Sequence, residues 1–161
     1  MQTLYVMCGI PASGKSTLSK QISEQFNMVR LSLDEMGYVR QHKLISHVVN
    51  TLKDGKSVVA DSLYTKKQWR TELFQSVQHI KCRCVLLYMT TSLDECIRRN
   101  QGRENTLPDF VIEHLYNSIE PPTLDEGWDE IIFINNDEDI KNLENNINNN
   151  IKNNIENLNL L

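Results

Sequence analysis

A chain of 161 residues with 40% hydrophobic and 24% charged side chains has the composition of a globular domain and is long enough to bury a core. The net charge of −4 excludes a strongly basic protein that coats nucleic acid, although a local groove for one strand end stays compatible with it. No run approaches the roughly 18 apolar residues of a membrane helix and no basic leader opens the chain, so we expect a cytoplasmic protein.

Apolar, strand-like runs alternate with amphipathic stretches over the first 134 residues, which indicates an α/β fold with a parallel sheet. We predict one domain over residues 1–135, because five strands fill a three-layer sandwich. The strand candidates are residues 3–8, 28–32, 57–61, 82–89 and 130–135. The helix candidates are residues 16–26, 44–54, 66–78, 92–100 and 107–120, with Gly55 as a stop signal after the second and Ser92 with Glu95 as a capping box for the fourth.

The first strand candidate runs into the stretch CGIPASGKST, whose residues 9–16 fit the P-loop pattern GxxxxGK[ST]. Glycines let the chain turn tightly, so that backbone N–H groups and the following helix N-terminus face phosphate oxygens. We expect Lys15 to reach the β- and γ-phosphates and the Ser16 hydroxyl to bind Mg²⁺. The sequence therefore predicts a nucleoside triphosphate site. Its predicted residues are Gly9, Ile10, Pro11, Ala12, Ser13, Gly14, Lys15, Ser16 and Thr17.

A carboxylate, Asp34, follows the second strand candidate by two residues, which places it at the carboxyl edge of the sheet beside the P-loop. A carboxylate there can accept the proton of an attacking hydroxyl while a phosphoryl group is transferred. Asp34 is therefore the candidate general base. Two alternatives stay open, because Asp34 can serve as a helix N-cap and Glu35 offers a second carboxylate one residue on.

The third strand candidate ends on Asp61 in SVVAD, which is similar to a Walker B ending. An aspartate in this position either holds Mg²⁺ through water or orients the acceptor and lid residues. The structural alternative is a solvated aspartate at a strand end.

Two arginines, Arg99 and Arg103, stand four residues apart in CIRRNQGRE and share one face if this stretch is helical. Arginine forks suit the charge on a transferred phosphoryl group, so a lid that carries them favours a kinase. A guanine-reading N/TKxD motif is absent from the sequence, and so is the second long domain of an ATPase motor.

The composition changes at Asn135, because twelve of the last 27 residues are asparagine. Apolar residues nevertheless recur there at steps of three and four, which predicts an amphipathic helix in an asparagine-rich C-terminal segment over residues 136–161. We expect this helix to form on the domain or on a partner. The apolar positions are Ile140, Leu143, Ile147, Ile151, Ile155 and Leu158.

Taken together, these motifs resemble the kinase domain of the 5′-hydroxyl polynucleotide kinases. The likeness covers about residues 3–134 and rests on GIPASGKST, LSLDEMG, SVVADS, RRNQGR and YNSIEPPTLDEGWDEIIFI. The last of these is similar to a closing segment with the core E-x-P-T-L-x-E-G-[FW]. The resemblance implies an α/β P-loop kinase fold, a three-layer sandwich whose five parallel strands have the order 2-3-1-4-5, with an arginine lid.

Site residues, cofactors and partners also follow from the resemblance. It implies ATP and Mg²⁺ as cofactors, bound through Lys15 and Ser16, and Asp34 as the base that deprotonates a 5′-hydroxyl. It implies that Arg99 and Arg103 bind the ATP phosphates, that Asp61 lies near the acceptor and lid, and that Arg40 contacts a neighbouring acceptor phosphate. The implied partner is the 5′-OH end of DNA or RNA over a short footprint, with no membrane. A DxDGT phosphatase motif is absent, so a ligase or phosphatase would be a separate protein.

One departure concerns the acceptor. Many members of this family read D-[NAS]-T-N after the third strand, whereas this chain reads Asp61-Ser62-Leu63-Tyr64. A second acceptor candidate is TKKQWR, residues 65–70, whose cations can meet phosphates while Trp69 stacks a base; the alternative is a basic solvent face with Trp69 in the core. Two other functions stay open: a kinase for a small metabolite or an aminoacyl-tRNA, and a non-catalytic ATP-binding module.

Overall fold

The five apolar runs form one sheet, because strands that are apolar on both faces can be buried between two helical layers. The computed structural model describes residues 1–37 and 40–161. All four strand pairings are parallel, and the strand order is β2-β3-β1-β4-β5, which confirms the predicted fold class and order. The strands are β1 (Gln2–Cys8), β2 (Val29–Ser32), β3 (Val58–Asp61), β4 (Cys82–Met89) and β5 (Glu130–Ile134).

Helices cover both faces of the sheet. They are α1 (Lys15–Gln25), α2 (Gln41–Lys53), α3 (Lys67–Val77), α4 (Leu93–Asn100), α5 (Asp109–Asn117) and α6 (Asp137–Asn159), with a 3₁₀ turn at Leu124–Glu126. On one face, α2 and α3 pack against the even-numbered residues of β1, whereas α1 and α6 pack against Tyr5 and Met7 on the other. Helices α4 and α5 enclose a smaller cluster around Ile10. Within the two described ranges, no helix has the length and hydropathy to cross a membrane.

Two helix-end predictions have different outcomes. Gly55 has φ 83° and its N–H donates to Leu52 O at 3.0 Å, so it ends α2 as predicted. Ser92 Oγ accepts from Glu95 N at 3.3 Å at the start of α4. The capping box there is only half formed, because the Glu95 carboxylate accepts hydrogen bonds from Arg98 and Arg99 instead.

The asparagine-rich segment forms the long helix α6. Its N-terminus is fixed by a reciprocal pair of hydrogen bonds between Asn136 and Asp139. Leu143 and Ile147 are buried against the sheet face that α1 also covers. The apolar stripe continues into exposed residues from Ile151 onwards, so the first half of the helix provides the packing.

A buried ion pair joins α3 to the segment before β5. Arg70 is 1% exposed, and its Nε and Nη2 donate to the two Glu126 carboxylate oxygens at 2.7 and 3.0 Å. Arg70 Nη1 donates to Tyr64 O at 2.9 Å, and Trp128 Nε1 donates to Glu126 at 3.3 Å. Burial alone would raise the pKa of Glu126, but these hydrogen bonds hold it below the ordinary glutamate value. Both charged groups are therefore fully partnered in the interior.

The same segment packs closely on an aromatic side chain. Gly127 has φ 110°, and a Cβ at this position would lie 2.7 Å from Phe74 Cζ, so only glycine fits. The Phe74 ring meets the Trp128 ring edge-on, with centroids 5.8 Å apart. The E-G-W part of the closing motif thus has a packing role in this chain.

Neither interpretation of TKKQWR matches the structure in full. Arg70 lies in the buried pair with Glu126, so it cannot contact a nucleic-acid phosphate. Lys66 Nζ donates to Ser118 O at 2.7 Å. Trp69 is 38% exposed and is therefore not a core residue either.

The buried pair predicts a large stability difference between two similar substitutions. Glu126→Gln leaves the Arg70 charge buried without a counter-charge, so we expect a loss of about 3–5 kcal/mol in the free energy of unfolding. Glu130→Gln is the matched control, because the Arg83–Glu130 pair is about one-third exposed and its loss costs about 1 kcal/mol or less. Urea denaturation of both variants measures the difference, and equal losses would contradict the structural role of the buried pair.

Candidate active site

A cleft of about 1170 Å³ opens at the carboxyl edge of the sheet. It lies where the loops that follow β1, β2, β3 and α4 come together, which is where ligands bind in open α/β sheets. The predicted residues that line it are Pro11, Ala12, Gly14, Lys15, Ser16, Thr17, Asp34, Asp61, Arg99 and Arg103. Three more P-loop residues, Gly9, Ile10 and Ser13, lie behind this wall, and Ile10 and Ser13 are buried.

The P-loop turns through two left-handed residues, Ala12 at φ 65° and Gly14 at φ 99°. Ser13 N donates to Ile10 O at 3.3 Å inside the turn, and the first hydrogen bond of α1 runs from Leu18 N to Gly14 O at 3.0 Å. The N–H groups of the first turn of α1 consequently have no carbonyl acceptor within the helix. They form a cradle for an anion at a helix N-terminus.

Close packing behind the loop explains its first glycine. A Cβ on Gly9 would lie 2.7 Å from Ser13 Oγ and 2.9 Å from Met89 Cβ. Gly9 N also donates to Leu63 O at 3.0 Å, which fastens the start of the P-loop to the loop after β3. The cradle is therefore held by the sheet beneath it.

Lys15 enters the cleft as a nearly buried cation, and its Nζ donates to Ile10 O at 3.0 Å. Burial lowers the pKa of this ammonium, and the charges of Asp61 and Asp34 oppose that shift. The two carboxylates are thus close enough to Lys15 to act on it electrostatically.

Asp61 is buried and held by two donors on its Oδ2 atom. Arg30 Nη2 donates to it at 2.6 Å, and Ser19 Oγ donates to it at 2.8 Å. Asp61 also lines the cleft, so the solvated-aspartate alternative does not describe it. The sequence analysis missed Arg30, whose only signal was a charge within an apolar strand.

The structure separates the two neighbouring carboxylates after β2. Asp34 lines the cleft and is exposed to it. Glu35 accepts from Arg30 Nη1 at 2.7 Å and lies 3.5 Å from Lys20 Nζ. The hydrogen bond from Arg30 lowers the pKa of Glu35 below its ordinary value, which makes it a weaker base. Asp34 is not a helix N-cap either, because Arg40 occupies that position in α2.

Arg99 and Arg103 face the cleft from different elements. A Cβ on Gly14 would lie 3.5 Å from Arg99 Nη1, so this guanidinium stands beside the P-loop. Helix α4 ends at Asn100, and Arg103 belongs to the following loop. The condition for one shared helical face, that both arginines lie in a helix, is therefore not met, although both arginines line the same cleft. Arg40 is exposed and is not among the described residues that line the cleft. Tyr38 and Val39, which precede it, are outside the residues that the structure describes.

A buried amide closes the loop that carries Arg103. Asn100 is fully buried, its Nδ2 donates to Leu107 O at 2.7 Å, and its Oδ1 accepts from Leu107 N at 3.1 Å. The two hydrogen bonds fix both ends of residues 101–106. Sequence reasoning missed this residue, because an asparagine at a helix end carries no signal of a partner seven residues away.

A phosphate cradle at the carboxyl edge of a 2-3-1-4-5 parallel sheet, with arginines facing it, defines a P-loop kinase domain. Residues 4–122 match the family model described as an AAA domain, and the chain belongs to this family.

Curated relatives include kinases that are named for different substrates. The chain is 26% identical over 137 residues to a bifunctional polynucleotide phosphatase/kinase of Schizosaccharomyces pombe, with 81% of this chain and 33% of the relative covered. It is 26% identical over 145 residues to an L-seryl-tRNA(Sec) kinase of Methanococcus maripaludis, with 78% and 56% covered. A KTI12 homolog of Arabidopsis thaliana is 28% identical over 155 residues, with 81% and 51% covered. The chain thus spans about a third to just over half of these relatives.

Solved structures share the fold. A fungal RNA kinase superimposes with a TM-score of 0.76 at 15% identity, covering 96% of this chain and 88% of the other. The Kti12 protein of Chaetomium thermophilum, solved with ADP-AlF3, superimposes with a TM-score of 0.73 at 18% identity, covering 89% and 96%. Both likenesses support the fold assignment.

The Asn100 clamp predicts a local effect on the arginine loop. Asn100→Ala removes two hydrogen bonds to Leu107, so we expect a loss of about 1–3 kcal/mol in unfolding free energy and faster amide exchange in residues 101–107. Urea denaturation and hydrogen–deuterium exchange measure the two effects. Asn117→Ala, at an exposed position in α5, is the control and should change neither. Unchanged exchange in Asn100→Ala would mean that other contacts hold the loop.

Proposed function

We propose that this protein transfers the γ-phosphoryl group of ATP to the 5′-hydroxyl end of a polynucleotide. The observation that carries the proposal is the position of Asp34, which lines the same cleft as Lys15 and the two arginines while its rival Glu35 is engaged by Arg30. A binding module without catalysis needs no base in this position, so a carboxylate there favours an enzyme.

The lining of the cleft suits a triphosphate. The N–H groups of the P-loop and the first turn of α1 would bind phosphate oxygens, and Lys15 would contact the β- and γ-phosphates. Arg99, beside the P-loop, and Arg103 would bind the triphosphate from the segment that follows β4. These groups supply the positive charge that a phosphoryl transfer requires.

Two oxygen donors in the cleft fit Mg²⁺, which prefers hydroxyl, carboxylate and phosphate oxygens. The Ser16 hydroxyl and the Asp61 carboxylate are these donors, and both residues line the cleft. Among the described residues, no group of three or more His, Cys, Asp or Glu side chains forms a metal cluster, as is usual where substrate phosphates complete the coordination. When bound, the cation would neutralise charge on the β- and γ-phosphates.

In this proposal, the chemical step that the protein itself carries out is the transfer of one proton from the acceptor hydroxyl. Asp34 would accept the proton of the 5′-hydroxyl as a bond forms between its oxygen and the γ-phosphorus. The bond from that phosphorus to the β–γ bridging oxygen breaks at the same time, and ADP leaves. Positioning and charge neutralisation supply most of the rate enhancement in such reactions.

A polynucleotide acceptor is supported by the relatives that share the fold and sequence, one named for polynucleotides and one for RNA. The net charge of −4 favours a short footprint at the strand end, with Arg40 as a proposed contact for the neighbouring phosphate. Tyr64, at the position of the family's asparagine, is buried, and its hydroxyl accepts from Gln41 Nε2 at 2.9 Å. Acceptor contacts would therefore come from other residues of the wall, such as Ser62.

The second candidate is a kinase that acts on an aminoacyl-tRNA or a small metabolite. The seryl-tRNA(Sec) kinase relative and the replacement at Tyr64 favour it. It uses the same triphosphate site and the same base, and differs only in the group that enters beside Asp34.

Transfer of labelled γ-phosphate from ATP to a 5′-OH oligonucleotide, with DNA and RNA in parallel, tests the proposal. We expect Lys15→Ala to lose ATP binding and transfer. Asp34→Asn should bind ATP within about twofold of the wild type but lower transfer at least about 100-fold, because the proton has no acceptor. Asp54→Asn, at an exposed position at the end of α2, is the matched control and should retain transfer.

Four outcomes separate the alternatives. Transfer that survives in Asp34→Asn means that another group is the base. No labelled oligonucleotide with the wild type, together with tight ATP binding, rejects the polynucleotide proposal. Label on seryl-tRNA or on a metabolite in the same assay would then establish the second candidate, and no label on any acceptor would favour a non-catalytic module.

A further inference from the structure

Arg30 connects three elements of the site from beneath the cleft. It lies in β2, and its side chain is 10% exposed. Its Nε donates to Ser19 Oγ in α1 at 2.7 Å, and its Nη2 donates to Asp61 at the end of β3 at 2.6 Å. Its Nη1 contacts Glu35 in the loop after β2 at 2.7 Å. One guanidinium therefore engages a helix, a strand end and a loop.

A charged side chain in this position is costly unless its partners are well placed, because a charge loses its hydration on burial. An apolar residue of similar volume would often give equal or greater stability than a buried ion pair. The stability of the fold alone therefore does not explain why an arginine occupies this position. Its planar fork, however, can engage two carboxylates in fixed directions, which neither an apolar residue nor lysine can do.

The two carboxylates that Arg30 engages both stand next to proposed chemistry. Asp61 is held through Oδ2 while its residue lines the cleft, so the direction of the remaining oxygen is fixed. Glu35 is the chain neighbour of Asp34, so its ion pair anchors the loop that carries the proposed base. Leu33 N also donates to Asp61 O at 3.2 Å, which ties the start of that loop to β3.

We propose that Arg30 is a positioning residue with two separable roles: it orients Asp61 toward the metal–nucleotide, and through Glu35 it holds Asp34 at the acceptor. The second role rests on the proposed function, whereas the first concerns nucleotide binding alone. Arg30 itself would contact neither substrate, because its side chain is only 10% exposed and each of its three nitrogens is already engaged, by Ser19, Asp61 and Glu35.

Three variants separate the roles. Arg30→Met removes both ion pairs, Glu35→Ala removes only the loop anchor, and Arg30→Lys can engage one carboxylate but not both. Arg83→Met is the matched control, because it removes another arginine–glutamate pair, at the start of β4 and outside the cleft lining. For each, ATP affinity is measured by calorimetry in EDTA and in Mg²⁺, without acceptor, and transfer is measured separately.

We expect Arg30→Met to bind ATP in EDTA within about threefold of the wild type. The gain in affinity on adding Mg²⁺ should fall about 10- to 100-fold, the usual range for loss of a group that orients a metal ligand. Glu35→Ala should keep the full Mg²⁺ gain but lower kcat for transfer about 10-fold or more with unchanged ATP KM. Arg30→Lys should recover the Mg²⁺ gain at least in part, and Arg83→Met should match the wild type in both assays.

A wild-type Mg²⁺ gain in Arg30→Met would overturn the first role, and wild-type kcat in Glu35→Ala would overturn the second. If Arg30→Met does not fold, an Asp61→Asn variant that keeps the wild-type gain in ATP affinity on adding Mg²⁺ likewise rejects the first role, because Asp61 would then have no part in binding the metal–nucleotide. Because the affinity measurements contain no acceptor, they remain decisive if the polynucleotide assay fails. If no oligonucleotide is labelled but the Arg30 variants lose the expected gain in ATP affinity on adding Mg²⁺, the proposed acceptor is rejected. The role of Arg30 in nucleotide binding is then still supported.

Discussion

Parallel pairing of β1 with both β3 and β4 is the constraint on which the site depends. It brings the carboxyl ends of the strands to one edge, so that the P-loop, Asp34 and Asp61 approach one another although they are far apart in the chain. Backbone hydrogen bonds beyond the strands, from Gly9 N to Leu63 O and from Leu33 N to Asp61 O, continue this pairing into the loops. The cleft is therefore built on a hydrogen-bonded edge of the sheet, which limits how far its charged groups can move.

Two buried arginines show how similar chemistry serves different purposes. Arg70 and Glu126 use both carboxylate oxygens and a backbone carbonyl, which leaves nothing for a ligand and makes the pair structural. The pair of Arg30 and Asp61 uses a single carboxylate oxygen, and Asp61 lines the cleft. An ion pair that uses both carboxylate oxygens holds two elements together. A pair that leaves one carboxylate oxygen without a hydrogen bond from the protein can also orient that oxygen toward a ligand.

Local patterns predicted what depends on local chemistry: the five strands, the P-loop and the end of α2 at Gly55. The different surroundings of Asp34 and Glu35 were not predictable from the sequence, because no local pattern marks the ion pair between Arg30 and Glu35. The partners of Arg70 and Asn100 were equally out of reach, since hydrogen bonds between distant residues leave no periodicity in the sequence. The steps of three and four between apolar residues predicted α6 despite the asparagine-rich composition, whereas the capping pair Asn136 and Asp139 in its first turn was not predicted.

The closing segment, which carried much of the family resemblance, is accounted for by packing. Glu126 neutralises Arg70, Gly127 allows the chain to approach Phe74, and Trp128 completes the aromatic contact. In this chain the three residues of the motif are engaged in packing where the sheet closes. Relatives of equal identity are named for different substrates, from polynucleotide to seryl-tRNA(Sec). For the function proposed above, we therefore expect acceptor contacts from the loops after β2 and β3, where Tyr64 departs from the family pattern and where Asp34 lines the cleft.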